Sequence, residues 1–277
     1  MRLGYPVPVI PPARHVSSHL QVQVKSTADL VFSVAVSGDH PCLSEGLVFR
    51  LDGEEIEAEE QLDSSRSRLH RLRETPPGTL TVDYEADVPQ PAPAAQLQGI
   101  DEILYTRPSR YCDSDRLANL GATHFAGLTG YELMSAVTQW VRTKVSYQPG
   151  SSRVVDGALE TYLSRVGVCR DSAHLVIAFL RGLNMPARLV SVYAPGLVPM
   201  DFHAVVEAWH DGAWHLLDAT GLAPRDSMVR ICTGRDAADT AFMTTLAGST
   251  RLRRIRVDAR VDGELPYDDK FSFRTLS

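Results

Sequence analysis

Apolar and polar residues alternate along the first third of the chain. Four runs between Leu20 and about Val88 put every second side chain on one face, as half-buried strands do, and Gly, Asp and Pro turn residues separate them. A further run, SRLHRLRE, fits neither the strand nor the helix period cleanly and is a fifth candidate strand. We therefore expect residues 1–88 to form an all-β, sandwich-like domain. The four clear runs are LQVQVK, LVFSVAV, GLVFRLDG and GTLTVDYEADV.

The alternation ends at a proline-rich segment, PQPAPAAQLQG, which has no period. Dense prolines make an extended and fairly stiff connection of the kind that joins domains. The sequence therefore predicts a linker over residues 89–100 and a second domain over residues 101–277.

Beyond the linker the period changes to that of helices. The runs GYELMSAVTQWVRTKV, DGALETYLSRVG and RDSAHLVIAFLRGLN each carry an apolar face at helical spacing. Three strand-like runs follow, ARLVSVYAP, DFHAVVEAWHDG and AWHLLDATG, and the dipeptide Asp211–Gly212 between the last two is a tight hairpin signal. Helices followed by an antiparallel sheet indicate an α+β fold.

Composition narrows the functional classes. The 277 residues carry 28 basic and 34 acidic side chains, a formal charge of −6, which argues against broad binding to nucleic acid or a polybasic membrane contact. Prolines interrupt the first apolar residues, and no later apolar run approaches the ~20 residues of a membrane span, so we expect a cytoplasmic protein. The four cysteines form no CxxC pair, which favours neither a disulfide framework nor a cysteine-rich zinc site.

One of these cysteines stands where a nucleophile would. In GVCRDSAHLVIAFL, Gly167 suits a tight turn and Cys169 falls in the first turn of the following helix. The free N–H groups and the dipole at a helix N-terminus favour a thiolate, and they can also hold the negative oxygen of a tetrahedral intermediate.

A nucleophilic cysteine needs a base and a group that orients the base. His203 lies 34 residues after Cys169, and Asp218 lies 15 residues after His203, on the two strands of the predicted hairpin. Pairing about the turn makes the numbers of opposed residues sum to about 423, which sets His203 within a diagonal step of Asp218. The order and spacing of the three residues favour a triad over separate structural roles.

Other readings of these residues stay open. Cys42, Cys112 and Cys232 fit small core side chains, and a metal site built from Cys169, His174, His203 and Asp218 lacks the usual pair spacing. His174 and His215 are predicted to be structural. The charged residues of CTGRDAADTAF, Arg235, Asp236 and Asp239, could pair with one another or line a groove, and Arg110, Cys112 and Asp115 of SRYCDSD are equally ambiguous.

At these residues the chain resembles the transglutaminase-like superfamily, in particular its bacterial transglutaminase-like cysteine proteases. The resemblance covers most of residues 103–257, and the N-terminal strands are similar to the β-rich domain that precedes the catalytic core in that subgroup. The matching stretches are YTRPSRYCDSDRL, WVRTKVSYQPGSS, GVCRDSAHL, PARLVSVYAPGL, DFHAVVEAW, WHLLDATG and, after VRICTGRDAADTAF, IRVDAR.

The resemblance implies a papain-like core in which Cys169 is the nucleophile, His203 the general base and Asp218 its orienting partner. Tyr147 is a candidate second oxyanion donor because a phenol can donate to an oxyanion, although a packing role fits equally well, and Gln148 is a weaker candidate. The chain departs from the family at two positions, with Ser172 where an aromatic residue is common and Val192 where glycine is common.

These features together predict thiolate attack on a peptide or isopeptide-like amide through a thioester, with hydrolysis favoured over cross-linking. We expect a peptide or protein amide as substrate, no cofactor and no metal; calcium is not implied because no EF-hand loop is present. Two rivals remain, a catalytically silent module that binds peptides and a metal-dependent hydrolase.

Overall fold

The computed structural model describes residues 13–89 and 95–276. It contains an extensive antiparallel sheet built largely from the first strands and an α+β core that follows them, as the sequence predicts. In chain order the elements are β1 (Arg14–Phe32), β2 (Ser44–Leu51), β3 (Glu54–Ile56), β4 (Glu59–Leu62), β5 (Arg68–Thr75), β6 (Gly78–Val88), α1 (Asp101–Leu104), α2 (Ser114–His124), α3 (Gly130–Lys144), β7 (Ser146–Tyr147), α4 (Ala158–Ser164), β8 (Val166–Gly167), α5 (Cys169–Gly182), β9 (Ala187–Tyr193), β10 (His203–His210), β11 (Ala213–Leu217), a 3₁₀ turn (Arg225–Ser227), β12 (Val229–Gly234) and β13 (Met243–Val261).

The N-terminal strands form one continuous sheet in the order β3-β2-β6-β1-β5-β4. The long strand β1 pairs with β6 over residues 14–24 and with β5 over residues 28–32. Buried and partly exposed side chains alternate along β1, and this confirms the predicted half-buried strands. β6 and β5 thus pair with successive parts of β1, and register shifts interrupt the pairing of β1 with β5 and β13. These irregularities bend the strand, and the sheet curls around its own apolar core.

The seventh strand of this sheet comes from the far end of the chain. β13 pairs antiparallel with β1 from Arg14–Val261 to Phe32–Met243. It lies within the range predicted as the catalytic domain, yet its partner belongs to the N-terminal region. The division at residues 89–100 stays a prediction, and residues 90–94 of the predicted linker lie outside the described residues.

The sheet and the core share apolar packing. Tyr193, at the end of β9, is fully buried against the sheet, stacks on Tyr84 with ring centroids 6.2 Å apart, and donates its hydroxyl proton to the carbonyl oxygen of Val34 at 2.8 Å. Val229 and Ile231 of β12 enter the same cluster. The two regions are therefore joined by a buried contact as well as by the chain.

The core is built around α5. This helix is buried along nearly its whole length, lies on the four-stranded antiparallel sheet β11-β10-β9-β12, and is flanked by α2, α3 and α4. A helix that is apolar on most faces belongs inside a fold, because each face then finds a packing partner. The arrangement confirms the predicted α+β class, with helices packed on an antiparallel sheet.

The predicted hairpin is confirmed in detail. β10 and β11 pair in the register Val206–Leu217, and Asp211 and Gly212 both adopt positive φ, at 48° and 76°. Two successive residues of positive φ match the right-handed twist of the flanking strands, which is why an Asp-Gly pair marks such turns. Within residues 13–89 and 95–276, no helix is both long and apolar enough to cross a membrane.

Candidate active site

Cys169 is the first residue of α5, as predicted, and its side chain is partly exposed. Asp171, at the third helical position, accepts the backbone N–H of Val168 at 2.8 Å, which closes the helix start. The first hydrogen bond of the helix runs from the N–H of Ser172 to the carbonyl of Val168. The N–H groups before it, from Cys169 to Asp171, have no partner within the helix, so the positive end of the helix lies at the thiol.

Gly167 fits this site for a reason other than the expected one. Its φ is not positive, so a turn conformation reserved for glycine is not what it provides. A Cβ at this position would lie 2.7 Å from the Cβ of Asp171, well inside contact distance. Glycine therefore allows the side chain of Asp171 to fold back over the chain that leads into α5.

His203 and Asp218 meet as the hairpin geometry predicts. Nε2 of His203 lies 3.0 Å from Oδ2 of Asp218, and both side chains are almost completely buried. Since a carboxylate only accepts, Nε2 carries the proton and Nδ1 is left for the thiol. Thr220 holds the other oxygen, because its N–H and its hydroxyl donate to Oδ1 of Asp218 at 2.8 and 2.7 Å.

The charges of His203 and Asp218 determine the pKa values of this buried pair. Burial lowers the pKa of His203, but the carboxylate of Asp218, and then the thiol of Cys169, outweigh burial and raise that pKa to about 10. Burial would likewise raise the pKa of Asp218, whereas the charge of His203 and the hydrogen bonds from His203 and Thr220 lower it to about 2. The arrangement thus favours an imidazolium between a carboxylate and a thiol.

Cys169 and His203 line one open pocket of about 430 Å³. Its walls are mostly apolar or small, and among the residues that the structure describes, the only other ionisable ones lining it are Arg170 and Asp201. The described residues thus provide room for a substrate beside the thiol. The remaining lining residues are Gly150, Ser152, Val154, Val168, Leu189, Ser191, Phe202, Ala204, Ala237, Thr240, Ala241 and Phe242.

Tyr147 lies near this site but does not line the pocket. Pairing of β7 with β8 sets Tyr147 opposite Gly167, and the N–H of Gln148 donates to the Gly167 carbonyl at 2.9 Å. Partial burial, and then negative charge at Cys169 and Asp201, raise the pKa of Tyr147. Its predicted role as an oxyanion donor stays a prediction, as does the weaker one of Gln148.

The two other histidines singled out in the sequence have structural partners. His174 is fully buried, stacks on Tyr111 at 5.3 Å, and accepts the N–H of Ala237 at Nε2; burial lowers its pKa to about 3. Nε2 of His215 donates to the carbonyl of His210 at 3.0 Å. Both histidines are therefore held by structural contacts, as predicted.

The remaining cysteines are core residues, as predicted. Cys112 and Cys232 are fully buried, and Cys42 packs against the N-terminal cluster while partly exposed. Burial raises the pKa of all three thiols, to about 12 for Cys112 and about 11 for Cys42. Within the described ranges, no group of three or more His, Cys, Asp or Glu side chains is arranged to hold a metal ion.

The charged residues of CTGRDAADTAF have partners within the protein and do not line the pocket. Arg235 and Asp239 pair at 2.8 Å on the surface, and Asp236 is buried and accepts the backbone N–H of Tyr111. None of these three side chains lines the pocket, whereas their neighbours Ala237, Thr240, Ala241 and Phe242 do. Arg110 lies over the Tyr111 ring, 5.0 Å from its centroid.

The two departures from the family pattern lie close to the triad residues. Ser172 is buried in the first turn of α5, where its N–H donates to the carbonyl of Val168. Val192 is the β9 residue opposite His203. Both substitutions leave the side chains of the predicted triad in place.

Besides Thr220, two residues at the site were not predicted. Arg142 of α3 donates to the carbonyl oxygens of Asp218 and Ala219, at 2.7 and 3.3 Å, and so fixes the turn that carries the carboxylate. Asp201 lines the pocket beside His203. The alternation of Asp201 with His203 before β10 was a usable signal for the second residue, whereas nothing local links Arg142 to position 218.

Comparisons with known proteins agree with this geometry. Residues 123–219 match the model of the transglutaminase-like superfamily, a range that contains Cys169, His203 and Asp218. A solved structure from Cytophaga hutchinsonii, described as a "putative cysteine protease", is 33% identical, superposes with a TM-score of 0.84, and the match covers 96% of this chain and 97% of that one.

Curated relatives are more distant. An uncharacterized protein of Mycobacterium leprae is 28% identical over 53% of this chain and 55% of its own length. One from Mycobacterium tuberculosis H37Rv is 30% identical over 39% of each chain. The chain thus spans about half or less of the length of the curated relatives it matches. The near full-length likeness to the Cytophaga protein, together with the matched superfamily model, shows that this chain belongs to the transglutaminase-like superfamily.

Proposed function

We propose that the protein is a cysteine-dependent acyl-transfer enzyme that attacks an amide bond through a thioester. Cys169 is the nucleophile, His203 the general base and Asp218 the group that orients the base. One observation carries the proposal: His203 lies between the buried carboxylate of Asp218 and the pocket that also exposes the thiol of Cys169. The likeness to a protein described as a cysteine protease supports the same chemistry.

The first half of the reaction forms the thioester. The Cys169 sulfur bonds to the amide carbonyl carbon, and the carbonyl electron pair moves to oxygen, giving a tetrahedral intermediate. His203 gives its Nδ1 proton to the amide nitrogen as the carbon–nitrogen bond breaks, and the amine leaves. Asp218 keeps Nε2 protonated throughout, so only Nδ1 exchanges its proton.

The second half releases the acyl group. Neutral His203 takes a proton from a water molecule, whose oxygen attacks the thioester carbon; the carbon–sulfur bond then breaks and the Cys169 thiolate returns. In both halves the free N–H groups at the start of α5 stabilise the developing oxyanion. Tyr147 is our candidate for a further donor.

Hydrolysis is favoured over cross-linking in this proposal. Hydrolysis needs only water, which can enter the open pocket, whereas cross-linking needs a binding site for the amine that accepts the acyl group. The substrate is a peptide or protein amide, and the protein binds neither nucleic acid nor a membrane. The enzyme acts in the cytoplasm and uses no cofactor.

The pH dependence of alkylation tests the triad directly. Iodoacetamide labelling of Cys169, resolved by mass spectrometry, should stay fast below pH ~7 and slow in His203→Ala, because the positive charge of His203 favours attack by a neighbouring sulfur. His174→Ala is the control for losing a buried histidine. Labelling no faster than that of an ordinary thiol, or unchanged without His203, would return Cys169 to a structural role and favour a silent binding module.

A further inference from the structure

The pocket at Cys169 contains a carboxylate to which the triad assigns no task. Asp201, two residues before His203, lines the pocket and is accessible to solvent. Its Oδ1 accepts the backbone N–H of Phe202 at 2.8 Å, and within the described residues no Lys, Arg or His pairs with it. The charge of His203 also acts on this carboxylate, but His203 is already paired with Asp218, so Asp201 has capacity for a cationic partner of its own.

The other charges of the pocket are already balanced. Arg170 donates to the hydroxyl of Ser152 and to the carbonyl of Arg153 at 2.5 and 2.7 Å, and it lies 3.3 Å from the buried carboxylate of Asp171. His203 is paired with Asp218. Asp201 is therefore the lining charge that remains for a bound molecule.

The surroundings of Asp201 suit an apolar stem that ends in a cation. Val154, Leu189, Phe202 and Phe242 line the same pocket. The pocket wall covers part of the Asp201 side chain, and this burial raises the pKa of its carboxyl group. Aliphatic stems of amines pack on such walls while their ends keep a polar contact.

We propose that Asp201 is a specificity-determining residue that binds an ammonium group of the acyl donor. This rests on the proposed acyl-transfer function and deepens it, since it names the substrate class: amides in which the acylated residue carries a primary ammonium. The ammonium is either the side chain of a lysine or the free amino terminus of the residue that is acylated.

A pair of substrate comparisons tests the proposal on the intact protein. Acylation of Cys169 is followed by nitrophenolate release from 4-nitrophenyl esters of Nα-acetyl-lysine, of Nα-acetyl-norleucine and of norleucine with a free α-amine, with the rate of Cys169→Ala subtracted. A preference for the first ester over the second assigns the lysine side chain, and a preference for the third over the second assigns the amino terminus.

Asp201→Asn is the decisive variant. It keeps the oxygen that accepts the Phe202 N–H and removes only the charge, so the preference should fall by about fivefold, through KM more than kcat. Asp211→Asn, in the hairpin turn at the other end of β10, is the matched control and should keep the preference. No preference for either ammonium ester, or one that survives in Asp201→Asn, would overturn the proposal.

A thiol-specific probe separates this proposal from the function it rests on. Cationic trimethylammonioethyl and anionic sulfonatoethyl methanethiosulfonates both form a disulfide with Cys169 and release methanesulfinate, whether or not esters react. The ratio of the cationic rate to the anionic rate should fall about fivefold in Asp201→Asn and stay constant in Asp211→Asn. If no ester acylates Cys169, the proposed function fails while this ratio still tests Asp201, and an unchanged ratio contradicts its role.

Discussion

At the scale of single residues, the charge of His203 is set by two opposed effects on its ring. Burial of His203 disfavours its charge, and the carboxylate of Asp218 at 3.0 Å restores it. Removing the carboxylate therefore leaves burial unopposed. The same pair links the protonation of the site to the stability of the fold.

Asp218→Asn tests this balance. Without the carboxylate the imidazolium is disfavoured, so iodoacetamide labelling of Cys169 near pH 6 should slow by roughly tenfold or more, one pKa unit of His203 being worth about a factor of ten. Thr220→Val keeps the charge of Asp218 but removes the hydroxyl that donates to its Oδ1, so it should slow labelling less than Asp218→Asn does. Equal labelling rates in Asp218→Asn and the parent would contradict the coupling.

The pair also affects stability in a defined pH range. The pKa of His203 is raised on folding, so its contribution is complete below about pH 6.5 and is lost as pH rises toward about 10. The pKa of Asp218 is lowered, so its contribution is complete above about pH 4 and is lost as pH falls through about 2. The interaction therefore stabilises the fold most between about pH 4 and 6.5.

Much of this site follows from the sequence because the signals are local. The helix start places Cys169, and the Asp-Gly turn fixes the register that brings Asp218 to His203. Arg142 could not be found in that way, because its contact with the carbonyl of Asp218 joins residues 76 positions apart. Such contacts depend on tertiary packing, which no local period encodes.

At the scale of elements, the beginning of α5 is a tightly packed segment. The chain must pass close under Asp171, and only a residue without a Cβ fits at position 167. The start of α5, the thiol of Cys169 and the carboxylate of Asp171 therefore lie close together, and a displacement of one is expected to shift the others.

Gly167→Ala should disturb that volume. A Cβ 2.7 Å from the Cβ of Asp171 must displace the Asp171 side chain, so we expect a loss of about 1–3 kcal/mol in the free energy of unfolding, measured by urea denaturation, and slower alkylation of Cys169. Gly99→Ala, where no atom lies within 4 Å of the added carbon, is the control. Equal stability of the two variants would show that the helix start is not so constrained.

The helices also show which element the apolar periodicity of the sequence does not predict. The three helices with clear apolar faces were predicted, and they appear as α3, α4 and α5. α2 was not predicted, although it packs on α5, because in SDRLANLGATH only Leu117 and Gly121 bury fully beyond its first residue. Gly121 lies against Phe179 and lets α2 pack closely on α5. A count of apolar residues does not detect this role of a glycine.

At the scale of the whole molecule, the sheet and the core depend on one another. β13 completes the sheet along the full length of β1, although it follows the core in the chain. Alternation predicted the early strands, but the partner of β1 across more than 200 residues could not be predicted from any local pattern.

A fragment of residues 101–277 tests this dependence. It would carry β13 without β1 and expose the surfaces of Tyr193 and Ile231 that pack on the sheet, so we expect it to aggregate or to melt well below the full chain. Size-exclusion chromatography and thermal unfolding, with the full chain in parallel, measure this. A monomeric fragment that melts as the full chain does would support an independent domain over the predicted range.

The return of β13 also limits how the core can move. The chain leaves the sheet after Val88, which pairs with Arg14 at one end of β1, and rejoins it at Met243, which pairs with Phe32 at the other end. A body tethered at a single point can pivot, whereas one fastened at both ends of a long strand cannot swing without breaking a ladder. Substrate access to Cys169 is therefore expected to depend on side chains and loops at the pocket rather than on hinge opening between the two regions.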